Sequence, residues 1–253
     1  MGSALLGGLV EAGWAPAGEL AVVEVDARTR RRLARSWPGV VVRPEPLAGV
    51  DAVVAVKPHL VAGVCAQLGS DSPRRLLSIA AGVTVATLRA ALPPGTRVLR
   101  AMPNTPALVG AGAAGLAAGP DATRDDLVWA AGILRAVGEV VVVGEDQLDA
   151  VTGLSGSGPA YVFLVLEALA DAGVNAGLPR PEAEALAAYT VLGAARLALA
   201  SDETPAQLRA AVTTPGGTTA AGLRVLEQRA VRAAVIDAVA AATERSRELG
   251  RSS

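Results

Sequence analysis

Leu20-Ala21-Val22-Val23-Glu24-Val25, followed at once by Asp26-Ala27-Arg28-Thr29-Arg30-Arg31-Arg32-Leu33, is the stretch on which the fold turns. A short valine-rich run of this kind suits a strand buried on both faces of a mainly parallel sheet, and the run after it suits a helix. The pairing recurs down the first half of the chain. Strands are predicted at 20–25, 40–42, 52–56, 76–80, 97–101, 113–118 and 140–143, and helices at 27–36, 59–68, 84–91 and 124–137. A βα series predicts an α/β doubly wound domain, here residues 1–144.

Such sheets bind ligands at the carboxyl ends of their strands. Three loops at that edge are candidates. Val56-Lys57-Pro58-His59 offers Lys57 to a phosphate or ribose, or leaves it as a solvated loop lysine. Ala80-Ala81-Gly82 is small enough for a flat ligand to lie against its backbone. Met102-Pro103-Asn104-Thr105-Pro106 is rigid, and the Asn104 amide both donates and accepts. After the first run, Glu24 or Asp26 would bond a ribose 2′-hydroxyl and favour NADH. Arg28, Arg30, Arg31 and Arg32 would instead receive a 2′-phosphate, or simply form a solvated helix face. His59 is the only histidine and has no partner residues for a metal site.

From Asp146 the strand-like runs stop and alanine- and leucine-rich helical stretches take over, so a second, all-α domain is expected over 145–253. Ser155-Gly156-Ser157-Gly158-Pro159 reads as a turn and cap cluster launching a helix to about Ala172. That helix and the next, 182–200, are apolar nearly all round and must be covered on every side. One small domain can hardly enclose both, which predicts a homodimer with interleaved helices. A last helix over 231–249 is amphipathic.

Composition narrows the partners. Of 253 residues, 51% are hydrophobic and only 2% aromatic, and the formal net charge of −1 supplies no basic field for nucleic acid or an anionic membrane. The lone Cys65 excludes an internal disulfide and suits a reducing cytoplasm. No apolar run approaches the ~20 residues that span a bilayer. The longest candidate, near Tyr161, is interrupted by Glu167 and Asp171.

Val212-Thr213-Thr214-Pro215-Gly216-Gly217-Thr218-Thr219 places four hydroxyls around a Pro-Gly-Gly turn before a helical run. Unpaired amides and the positive end of the helix dipole make such a turn a seat for a small carboxylate. The plainer alternative is a helix cap formed by Thr218 or Thr219.

Taken together, these stretches resemble the pyrroline-5-carboxylate reductases. The resemblance runs over essentially the whole chain. It is carried by Met1-Gly2-Ser3-Ala4-Leu5, Val56-Lys57-Pro58-His59, Ala80-Ala81-Gly82-Val83-Thr84, Asn104-Thr105-Pro106, Leu154-Ser155-Gly156-Ser157-Gly158-Pro159-Ala160-Tyr161, and residues 213–227. It implies a Rossmann-like N-terminal domain binding NADPH or NADH, followed by an all-α substrate-binding and dimerisation domain. The implied activity is reduction of 1-pyrroline-5-carboxylate to L-proline, in a homodimer or larger homo-oligomer whose active site lies where the domains of two subunits meet.

By position, Thr214, Gly216, Gly217 and Thr218 would hold the substrate carboxylate. Thr219 would act at the ring nitrogen, and Glu145 and Asp202 would line the pocket, Asp202 standing where relatives carry Glu. Gly2, Ser3, Val56, Lys57, Ala81 and Asn104 fall at cofactor positions, and no metal is implied. Members of the family open with a strand and Gly-x-Gly, of which this sequence holds only the end. That raises the expectation of a start misassigned within a longer gene, and of weak nucleotide affinity for the 253-residue chain. Two alternatives are a 3-hydroxyacid-type dehydrogenase and a dimeric scaffold that has lost nucleotide binding. The first is disfavoured because the chain has neither lysine nor histidine after Leu148.

Overall fold

A computed structural model describes residues 1–47, 49–68 and 74–251. Helix α1 (Gly2–Glu11) opens the chain, followed by β1 (Ala21–Val23), α2 (Ala27–Ser36), β2 (Val41–Arg43) and β3 (Ala52–Val54). Then come α3 (Val61–Gln67), β4 (Arg75–Ser78), α4 (Val85–Ala90), β5 (Arg97–Met102), β6 (Gly112–Ala118), α5 (Arg124–Arg135) and β7 (Gly138–Val142). Helices α6 (Leu148–Val151), α7 (Gly158–Asn175), α8 (Arg180–Ala200), α9 (Pro205–Ala211), α10 (Thr218–Gln228) and α11 (Val231–Arg251) complete it.

Each predicted strand and helix of the first half is present, with ends shifted by a few residues. Local chemistry sets several of the starts. The Asp26 carboxylate accepts from Thr29 N at 2.6 Å and begins α2. Thr84 does the same for α4, and Thr123 with Asp126 forms a reciprocal capping box on α5.

The strands form two sheets, β1–β2 and β3–β4–β5–β6–β7, parallel throughout except for the antiparallel β5–β6 pair. Among the described residues, β1 and β3 each end their sheet instead of joining. The two sheets nevertheless share one core. Leu5, Leu6 and Leu9 of α1 pack with Leu20, Val40, Leu77 and Leu99 and with the inner face of α5. Register places Leu76 beside Val98 and Leu77 beside Leu99, so alternate residues face opposite ways. Leu76 and Val98 pack with α3 and α4 in a second cluster. Both faces are covered, as a doubly wound sheet requires.

The chain divides into two compact units, Met1–Ser157 with Ala240–Ser253, and Gly158–Val239. Helix α11 therefore begins in the second unit and ends in the first. In the second unit α7 and α8 approach closely, a Cβ on Gly173 falling 3.0 Å from that of Ala183.

Two expectations need correction. Ser155–Pro159 is not a capped turn: Thr152–Gly156 is a π-helical turn continuing from α6, closed by Ser157 N donating to Thr152 O at 2.8 Å. The Ser155 carbonyl is instead used by a residue distant in sequence, Asn104. Bilayer-spanning length is also reached. The helical stretches Glu145–Asn175, of 31 residues, and Arg180–Ala200, of 21, are long and apolar enough to cross a membrane by length and composition. Two charges in a long apolar helix do not break that pattern, and the same pattern suits a helix packed against protein on all sides.

Candidate functional site

In the first unit, the carboxyl ends of β1, β3, β4 and β5 lie along parallel strands, and the loops that follow them carry the cofactor candidates. Gly2 starts α1 beside the loop after β3, where a Cβ on Gly2 would stand 3.2 Å from the Ala55 Cβ. Close helix-to-strand approach is what the last glycine of a dinucleotide motif provides. Ser3 is exposed in the first turn of α1. Val56 is half-buried against the α3–α4 cluster, while Lys57 and His59 are exposed. Lys57 directly precedes a 3-10 turn, with its side chain exposed. Ala81 is exposed between buried Ala80 and Gly82, whose φ of +76° excludes most side chains. This low, open loop fits a flat ring against backbone. The last turn of α11 backs it, since a Cβ on Gly82 would lie 3.7 Å from Gly250 N.

Asn104 is placed differently from what the sequence suggests. It is buried, Nδ2 donates to Ser155 O at 3.0 Å, and Oδ1 accepts from Ala113 N at 2.9 Å. Its amide is committed to scaffolding, holding the loop after β5 to β6 and to the π-helical turn. A Cβ on Gly156 would fall 2.9 Å from the Met102 Cε, so the π-helical turn packs closely on the end of that flexible side chain.

Glu145 is likewise tied down. Its Oε1 accepts from Val85 N at 2.6 Å, in the first turn of α4, and lies 3.4 Å from Nη1 of Arg100. Arg100 is buried within β5, and sequence reasoning passed over it. A charged residue in the apolar run 97–101 was the available signal. Ser246 of α11 donates to Asp149 at 2.6 Å, fastening the end of that helix beside α6. Cys65 is buried and its thiol is pushed up by burial, away from thiolate chemistry. Among the described residues no group of three His, Cys, Asp or Glu side chains could hold a metal.

In the second unit the threonine-rich segment forms a tight turn. Gly217 N donates to Thr214 O at 3.0 Å, and Gly216 sits at φ +72° behind Pro215, the pattern of a type II turn. A Cβ on Gly217 would lie 2.3 Å from the Thr214 hydroxyl, so that hydroxyl rests directly on the glycine. Thr213 turns away and donates to Arg209 O at 2.6 Å.

Gly217, not Thr218 or Thr219, is the N-cap of α10, and no side chain caps the helix. The cap reading is thereby corrected: both threonines already lie inside the helix, and the amides of its first turn stay open. Thr214 and Thr218 are exposed, Thr219 is half-buried, and Asp202 is exposed ahead of α9. Glu227 pairs with Arg232 at 2.8 Å and with Arg209 at 4.0 Å, fixing α10 between its neighbours; the hydrogen bond from Arg232 holds the Glu227 carboxyl below its ordinary range. An open helix N-terminus beside two exposed hydroxyls is suited to a carboxylate.

Residues 145–249 match the family model for pyrroline-5-carboxylate reductase dimerisation. A pyrroline-5-carboxylate reductase from Synechocystis is 52% identical over 200 residues, covering 79% of this chain and 74% of that protein. Among solved structures, a pyrroline-5-carboxylate reductase from Coxiella burnetii is 38% identical with a TM-score of 0.90, covering 98% of this chain and 94% of its own. A Plasmodium falciparum pyrroline carboxylate reductase with NADP bound is 29% identical with a TM-score of 0.83, covering 99% and 94%. With relatives matching along nearly its full length, this chain belongs to the pyrroline-5-carboxylate reductase family.

Proposed function

We propose that the protein reduces 1-pyrroline-5-carboxylate to L-proline, the last step of proline biosynthesis. The observation that carries this reading is the Thr214–Gly217 turn opening onto the uncapped N-terminus of α10. The substrate is a five-membered cyclic imine bearing a carboxylate. Its carboxylate is received by the α10 first-turn amides and the Thr214 and Thr218 hydroxyls, with Gly216 and Gly217 allowing close approach. Thr219, one residue further into the helix, hydrogen-bonds the ring nitrogen.

A protonated imine is already electrophilic, so the protein's main task is alignment. The carbon gains a hydride while the nitrogen keeps its proton, giving the secondary amine of proline. A nicotinamide dinucleotide, NADPH or NADH, supplies that hydride when bound. Gly2, Ser3, Val56, Lys57 and Ala81 hold it, and Asn104 shapes the edge on which it lies. Glu145 and Asp202 contribute negative charge to the substrate pocket.

We assign 1–144 to dinucleotide binding and 145–253 to substrate binding and dimerisation. The exposed apolar surfaces of α7 and α8 support a homodimer. Neither a membrane nor nucleic acid enters this reading, and the cytoplasm is the expected compartment. The test is oxidation of NADPH or NADH dependent on added 1-pyrroline-5-carboxylate, with proline identified as product. Absence of turnover with both cofactors, by a chain shown to bind one of them, would overturn it.

A further inference from the structure

In the first unit, the loop between β4 and α4 is tied at both ends and has no hydrogen bond in its middle. Ala80 N donates to the buried Ser78 Oγ at 3.3 Å on one side, and Val85 N donates to Glu145 Oε1 at 2.6 Å on the other. Between them, Ala81 and Gly82 make no hydrogen bond among the described residues. What stands behind them is the last turn of α11, backbone against backbone. A Cβ on Gly82 would lie 3.7 Å from Gly250 N, and a Cβ on Gly250 3.4 Å from Gly82 O. A helix end frays unless something outside the helix holds it. The ion pairs of this segment, Arg245–Glu248, Arg247–Glu244 and Arg251–Glu244, all lie within α11 and are exposed. Ser246 instead reaches out of the helix. It is buried, and its hydroxyl donates to Asp149 Oδ1 of α6 at 2.6 Å, a short bond to a carboxylate oxygen. Gly250 follows four residues later, on the same helix face and about 6 Å further along the axis.

We infer that the Ser246–Asp149 bond holds the Ala80–Gly82 loop in the place that receives the nucleotide, which makes both side chains positioning residues for the proposed hydride transfer. The inference rests on the nucleotide reading above. The bond fixes α11 one turn before its contact with Gly82, and Ala81 and Gly82 have no hydrogen bond of their own with which to keep that place. Without it, the helix end and the loop both have more conformations to lose when a dinucleotide settles against Ala81. That ordering cost is subtracted from the binding free energy, so nucleotide affinity falls. The carboxylate seat of the imine belongs to a different segment, Thr214–Thr219, and is spared.

The test uses the full chain: equilibrium binding of NADPH and NADH by calorimetry, and hydrogen exchange of the 79–84 segment. Ser246→Ala removes the hydroxyl and puts the best helix former in its place, so α11 itself should persist. The variant should raise the Kd of whichever nucleotide the parent binds by about five- to tenfold and speed exchange in 79–84, while KM for the imine stays within about twofold. Asp149→Ala should do the same, and the double variant should add nothing to either single one. Asp149→Asn keeps an acceptor of the same shape and should stay close to the parent. Unchanged nucleotide affinity in Ser246→Ala overturns the inference, as do fully additive losses in the double variant. An equal rise in KM for the imine overturns it too, since the bond would then serve the fold at large. So does a parent chain that binds neither nucleotide at millimolar concentration. Nucleotide binding that responds as expected, in a chain that does not turn over the imine, would sink the proposed reaction and leave this inference standing.

Discussion

The two compact units solve burial in opposite ways. The first encloses Leu76, Leu77, Leu88, Leu99 and Leu116 completely, between helices on both faces of a sheet. The second, Gly158–Val239, buries only Ala170, Ala183 and Ala187, although its helices are as apolar as any core. Phe163 is 59% exposed, Leu164 66% and Tyr189 74%. An α/β layer is complete within one chain. A pair of all-round apolar helices is not, and its cover has to come from outside the unit. A second copy of the same helices meets that description, in keeping with the dimerisation family that this region matches.

The comparison can be broken most forcefully at α7. Leu164→Asp puts a charge on its exposed apolar face and is expected to convert dimers to monomers with loss of all turnover, while the first unit keeps its structure. Sedimentation together with circular dichroism reads both. Retention of the dimer would show that α7 is covered some other way.

Truncation sharpens the contrast quantitatively. Leu99→Ala should cost about 3–5 kcal/mol in urea unfolding whatever the protein concentration. Leu164→Ala, at a position exposed in the single chain, should cost well under ~1 kcal/mol to a dissociated monomer and more than ~2 kcal/mol to the dimer. Equal, concentration-independent losses at the two sites would remove the distinction between the units.

At the threonine turn the expected effect is on rate. Thr219→Val should lower kcat by roughly ten- to a hundredfold, because the hydroxyl proposed to bond the ring nitrogen is lost while the volume is kept. The melting temperature should not move. Unchanged turnover would take Thr219 out of the reaction.

The smallest effect lies in the capping box of α5. Burial raises the Asp126 carboxyl, but bonds from Thr123 N and Oγ1, both 2.7 Å, and the charge of Arg97 outweigh it and leave the group below 3.8. A depressed value in the fold means stabilisation that is present above the ordinary carboxyl range and is lost as pH falls through the folded value. Asp126→Asn should therefore lower stability by about 1–2 kcal/mol near neutrality and flatten the decline on acidification. Parallel acid-unfolding curves for the variant and the parent would contradict this.

Much of the fold was legible because its signals are local. Valine-rich runs of strand length separated by helical stretches located the strands and helices of the first half, and Thr214-Pro215-Gly216-Gly217 announced the tight turn before α10. The scaffold alternative has no support among relatives that are reductases and match nearly the whole chain. The internal bonds of the Asn104 amide were not legible because its partner Ser155 lies 51 residues away, and nothing in Met102-Pro103-Asn104 announces that contact. The π-helical turn at Thr152–Gly156 was read as a cap for the same reason: glycine and serine are common to both, and only the packing against Met102 and Asn104 separates them.

By itself, then, the sequence determined the order of strands and helices, the glycines where backbone must turn or approach closely, and the hydroxyls before α10. These follow from propensity, periodicity and sterics within a few residues. Tertiary structure alone decided which polar groups remain free for ligands. Glu145 meets Val85 across 60 residues and Arg100 across 45, and those bonds fix where its carboxylate sits. Such commitments depend on which segments come together, and sequence-local chemistry carries no record of that.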